Sequence, residues 1–196
     1  MRALAVALAL TSAAAAAAAP APRTTRAPWP RPANPLALAR RAGLAPKTHE
    51  FFAYHVHAHL DVFVNSRQIR VPAGIGIEIR DPAVHRFPEP DGSVGYGGIS
   101  PPCKHACISP LHTHDPDGIL HTESARAHPN RLGQFFTEWA VRLDRACIGG
   151  YCQGVRFYID GKRYRGDPRA ITLTDHKDIV ITVGRPPHPI PSVFPQ

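Results

Sequence analysis

Methionine occurs once in these 196 residues, at position 1. A chain without further thioether sulfur has no axial ligand for most blue-copper sites and no Met-rich cluster for Cu(I). Acidic residues are missing from the first 47 positions, which carry seven of the 23 Lys and Arg (Arg2, Arg23, Arg26, Arg31, Arg40, Arg41 and Lys47). The other 16 bases face all 15 acids, so the net charge of +8 belongs to one end and no nucleic-acid partner is expected for the rest. Neither G-x-S-x-G nor G-x-x-x-x-G-K-[ST] occurs, and "GIGIEI" lacks the third glycine and the helix of a dinucleotide fingerprint. After residue 19 no apolar run is long enough to span a bilayer, so a soluble mature chain without a membrane span is expected.

What is present begins with residues 1–19, where Arg2 precedes an Ala-, Leu- and Val-rich stretch with A-x-A cleavage choices near Ala17 to Ala19. That pattern reads as a signal peptide and implies a secreted or periplasmic protein. Residues 20–47, rich in Pro, Arg and Ala without an apolar period, read as an extended linker. Its basic character would allow a tether to anionic envelope polymers. Residues 48–185 suit one folded, histidine-rich domain, and residues 186–196 a proline-rich tail. The cysteines come as Cys103-x3-Cys107 and Cys147-x4-Cys152. After export an even count reads as disulfides, with three pairings open. A four-thiolate zinc site is the rival, disfavoured by an oxidising compartment, and the spacing is not that of a C-x-x-C redox motif.

In "YHVHAHLDVFVN", Tyr54, Val56, Ala58, Leu60, Val62 and Val64 alternate with His55, His57, His59, Asp61, Phe63 and Asn65, the pattern of a strand with one apolar face. A turn at Asn65-Ser66 leads into "RQIRV", and Asp160-Gly161 in "VRFYIDGKRY" marks a second hairpin. "RLGQFFTEWAVRL" puts Leu132, Phe135, Phe136, Trp139, Ala140 and Leu143 on one helical stripe, with Asn130 as N-cap. Residues 78–110 read as a long loop and "DIVITV" as a final strand. The expected fold is α+β: a β-rich single domain of antiparallel hairpins with one main amphipathic helix.

The chemistry concentrates in two stretches. In "SPLHTHDPDGILHTES", His112 and His114 share a face, Asp115 to Gly118 supply a turn, and His121 and Glu123 share a face of the returning strand. Opposed side chains of an antiparallel pair lie about 4.5–5.5 Å apart, so such a hairpin gathers candidate ligands. Residues two apart on a strand project the same way, which makes each His-x-His a chelating pair. Neutral imidazole is the commonest protein ligand for zinc and copper. A centre for Zn(II) or Cu(II) is therefore expected from His57, His59, His112 and His114 first, with His55 and His121 as further or alternative ligands. The remaining histidines are scattered and read as solvated.

Known metal motifs fit poorly. "HTHDPD" departs from the H-x-H-x-D-H hydrolase pattern because Asp117 falls one residue late and Gly118 offers no ligand. A cupin would need a glutamate where Phe63 or Val64 stands. The chain is too short for a TIM-barrel amidohydrolase.

Together "HVHAHLDVFVNSRQIRVPAGIGI", "LHTHDPDGILHTES", "LGQFFTEWAV" and "ITLTDHKDIVITVG" resemble a group of exported bacterial and archaeal proteins with similar H-x-H-x-H, LHTHD and GxIH-x-ES segments. The resemblance spans roughly residues 50–184 and implies export, the domain boundaries and the grouping of the motifs. It implies no reaction.

Three functions remain open on these residues. A closed metal site would serve metal capture, delivery or sensing. Three ligands with an open position would suit a zinc-dependent hydrolase or lyase, in which Glu123 or Asp115 acts as general base or orients a ligand. A non-metal interaction module with a pH-responsive histidine face would keep the two histidine sets far apart or hydrogen-bond their rings to backbone.

Overall fold

The computed structural model describes residues 19–195; the expected signal peptide therefore lies, apart from Ala19, outside the described residues. The fold is α+β and β-rich. Nine strands are present among the described residues: β1 (Tyr54–Val64), β2 (Arg67–Ile69), β3 (His85–Pro88), β4 (Val94–Gly97), β5 (Leu111–His112), β6 (Ile119–Ser124), β7 (Val155–Ile159), β8 (Lys162–Tyr164) and β9 (Asp178–Val183). Two seven-residue helices accompany them, α1 (Pro35–Arg41) and α2 (Leu132–Glu138).

The main sheet runs β5-β6-β1-β9-β7-β8, with β2 also paired to β1. Every pairing is antiparallel except β1 with β9, so the two expected hairpins, β1–β2 and β7–β8, flank β9 in opposite senses. Both turn where expected: Asn65 and Ser66 take φ of 51° and 66°, and Asp160 and Gly161 take 48° and 73°, the double positive φ of a type I′ turn. The segment expected to be a long loop carries a hairpin of its own, β3–β4.

Ala58, Leu60 and Val62 of β1 join Leu111, Leu120, Ile179 and Ile181 on the core face, which packs on Phe135, Phe136 and Trp139. The helix bearing those aromatics is shorter than its stripe. It stops in a Schellman arrangement, with the Val141 N–H bonded to the Phe136 carbonyl and the Ala140 N–H to that of Thr137. Ala140 takes the left-handed conformation (φ 55°) usually given to glycine. Leu143 remains in the core as extended chain, bridged to Ile148. Nor is Asn130 the cap. Its side chain donates to the Pro110 carbonyl, while the Gln134 side chain accepts from the Arg131 N–H at the helix start.

Residues 20–47 are not a linker. Trp29 is 1 % exposed and stacks edge-on against Trp139 at 5.6 Å, while Leu38, Ala39 and Leu44 are buried. The arginines expected to tether are engaged: Arg23 donates to the Trp139 carbonyl, Arg31 to that of Ala73 and Arg41 to that of Pro20. Burial of Trp29 against a helix far along the chain outweighs the local preference for an extended proline-rich strand.

Both disulfides are local, Cys103–Cys107 and Cys147–Cys152, and no free cysteine remains among the described residues. The first lies in a small second core with Ile77, Ile108 and Tyr96, which fastens β4 beside the histidine face. No helix among the described residues is long and apolar enough to cross a membrane.

Candidate metal centre

Alternation on β1 turns His55 and His57 away from the core, and the register with β6 sets His57 opposite His121 and His55 opposite Glu123. On the other edge of β6, His112 stands opposite His121. Three neighbouring strands thus align His57, His121 and His112 in one row. The two sets meet at His121, whose ring centroid lies 4.4 Å from that of His57, 4.3 Å from His114 and 5.3 Å from His112.

The donor atoms are spaced as ligands are. His57 Nε2 is 2.9 Å from His55 Nε2, His55 Nε2 is 3.2 Å from His121 Nδ1, and His112 Nε2 is 3.1 Å from His114 Nε2. Nitrogens at about 2.0 Å from a tetrahedral zinc lie roughly 3.3 Å apart. Tautomers at the second pair follow from the partners: a carbonyl only accepts, so His112 Nδ1–H donates to the Ser109 carbonyl at 2.8 Å and His114 Nδ1–H to the Tyr96 carbonyl at 2.6 Å. In the neutral rings both Nε2 lone pairs then face each other. Only a shared cation, a proton or a metal ion, relieves that contact. A backbone acceptor behind each ligating imidazole is the usual support of metal sites.

The electrostatics disfavour protonation of these rings. Burial and neighbouring histidines lower the pKa of His55 and hold that of His112 well below the ordinary histidine range. Burial likewise lowers His57, and burial with four surrounding imidazoles keeps His121 neutral. Glu123 is pushed up to about 7 by burial, with the Glu50 charge adding to the rise and the Phe51 N–H opposing it. Its Oε2 accepts that N–H at 2.9 Å, while Oε1 is buried without a hydrogen-bond partner. Oε1 lies 3.4 Å from His55 Nε2 and 3.6 Å from His112 Nε2. An orphaned acceptor among unprotonated ring nitrogens fits a bound cation. His55, His57 and His121 form one group able to hold an ion, and His112, His114, His121 and Glu123 another.

Two sequence expectations shift. His59, ranked among the first ligands, stands apart from the cluster. Its Nδ1 is 2.8 Å from Asp178 Oδ1 and its Nε2 3.1 Å from the Asp117 carbonyl. His59, Asp61 and Asp178 stand close enough to hold an ion. Yet both ring nitrogens already face acceptors, and Asp61 accepts from the Gln68 amide at 2.6 Å. The hydrogen bond to Asp178 and the charges of Asp61 and Asp178 outweigh burial and raise the His59 pKa, so the site favours the protonated ring. Asp115, a candidate base, lies instead against Gly95 and beside Glu89, where burial and the carboxylates of Glu89 and Asp117 raise its pKa.

Some participants gave no sequence signal. Glu50 Oε1 sits 3.5 Å from His114 Nε2, and the Asp175 side chain accepts the His57 backbone N–H. Gly97 is needed because a Cβ there would stand 2.2 Å from His114 Nδ1. Glu123 was legible, by its alternation with His121, and stands among the donor atoms themselves. No family model, curated protein or solved structure matches the chain.

Proposed function

We propose that this is an exported metal-binding protein that captures, delivers or senses Zn(II) or Cu(II) at a centre built from His55, His57, His112, His114, His121 and Glu123. One observation carries the reading: His112 and His114 present Nε2 atoms 3.1 Å apart after committing both Nδ1 protons to backbone carbonyls. Without a cation that arrangement sets two lone pairs against each other in a buried site; with one it is a preformed chelate. Export is supported by the paired disulfides, the signal-like first residues and the resemblance to exported proteins. Elemental analysis of untagged protein purified from its native compartment tests the reading, beside a His57→Ala/His112→Ala variant. At least one equivalent of zinc or copper is expected in the wild type and under a tenth of that in the variant. Sub-stoichiometric metal in both would overturn it.

A second reading, metal-assisted hydrolysis or hydration, is favoured by a cavity of about 390 Å³ beside Glu123, lined also by Lys47, Phe51, Pro110, Arg126 and His128. Glu123 is the one proposed ligand on its wall, and an ion held at the histidine centre would lower the pKa of bound water to about 7. Turnover of an activated ester or of CO2 by the zinc-loaded protein, lost on chelation, supports this reading. Turnover no faster than that of free zinc rejects it.

A further inference from the structure

We propose that the centre holds two ions rather than one, the His55–His57 pair on one and the His112–His114 pair on the other, with the His121 ring and the Glu123 carboxylate between them. This rests on the metal-binding reading and adds its stoichiometry.

The sheet imposes the division. His57 and His112 occupy the two strands that flank His121, and each is paired directly with it. Adjacent strands lie about 4.8 Å apart, so the backbones carrying the two chelating pairs are separated by roughly 9.6 Å. Within each pair the Nε2 atoms have already closed to chelating distance, 2.9 Å for His55 and His57 and 3.1 Å for His112 and His114. His121 belongs to both candidate groups. Its ring stands nearly perpendicular to His57 on one side, at 70°, and to His114 on the other, at 81°.

Glu123 is placed for the same division. Its free Oε1 lies between the pairs, near one nitrogen of each, and no N–H reaches it. Counting donors leads to the same result. Five imidazoles, Glu123 and the nearby Glu50 offer more donors than the four that zinc takes in a structural site, so one ion would leave at least two of these half-buried or buried groups unused. Two ions use them, and the two glutamates supply negative charge against the added positive charge.

Equilibrium dialysis of chelator-stripped, untagged protein against Zn(II), read by elemental analysis, tests the count. Two equivalents are expected in the wild type, and one in each of His57→Gln and His114→Gln. Loading with two equivalents of Cu(II) adds a second readout: a coupled pair gives an integrated EPR intensity below two spins, and His57→Gln restores an uncoupled single-copper spectrum. Circular dichroism melts of the stripped proteins confirm that both variants fold. One equivalent in the wild type, abolished by either substitution, would overturn the two-ion centre while leaving the metal-binding reading in place. No bound metal in the wild type would overturn both.

Discussion

At His57 the ring Nε2 meets the Nε2 of another histidine at 2.9 Å, whereas two residues along the same face of β1 His59 finds a carboxylate at one nitrogen and a carbonyl at the other. The residue type, strand and face are the same. The difference is what the neighbouring strands bring opposite: His121 across from His57, but Ile119 and Asp178 across from His59. A histidine among acceptors is drawn toward its protonated form. A histidine among other lone pairs keeps a ring nitrogen free to accept a cation. The readiness of an imidazole to bind metal is thus a property of the donor and acceptor balance around it, and His-x-His spacing only makes it possible.

The contrast breaks most visibly at the cluster. His57→Ala/His112→Ala, which breaks both chelating pairs, should abolish the stabilisation that zinc confers on the wild type, about 4 kcal/mol when free ion exceeds Kd a thousandfold. Urea unfolding with and without chelator measures it. His59→Ala should leave bound zinc per chain unchanged, and a loss of metal there would erase the distinction. Next in size, Asp178→Asn should cost about 2–3 kcal/mol by weakening a charge-assisted hydrogen bond to a buried ring, again at constant metal content.

Proton linkage separates the regions by sign. The cluster histidines have folded pKa values below 6.5, so in metal-free protein their contribution is complete above that pH and is lost as pH falls. His59 is raised, so its contribution is complete below 6.5 and is lost as pH rises through its folded value. Each proton involved changes stability by about 1.4 kcal/mol per pH unit within its window. Denaturation midpoints from pH 5 to 9 should show His112→Phe flattening the acid limb and His59→Asn the alkaline one; the reverse pattern would exchange the two roles. The smallest effect, about 1 kcal/mol, is expected for Gln68→Ala, which removes the amide donor from Asp61. Thermal melts at neutral pH resolve it.

What could be read in advance followed local rules. Alternation over Tyr54–Val64 placed the histidines on one face, and the turn residues at Asn65-Ser66 and Asp160-Gly161 placed the hairpins. The union of His112, His121 and Glu123 was legible because a tight turn joins their strands. Relations between distant segments were not. Asp178, 119 residues from His59, carries no local mark of its partner. The early stop of α2 depends on Ala140 accepting a conformation that alanine disfavours, so the continuing apolar stripe was misleading. Trp29 and Ala39 read as linker because their burial needs the surface of α2, which no window of the arm contains.

That docked arm changes how the protein would be held in an envelope. A free 28-residue leash would let the centre sweep a wide volume, whereas the chain is already clamped at Arg23 by its bridge to Val141. A tether joined at Arg23 would gain no slack from the arm, so the histidine face would keep a restricted orientation toward the anchoring point.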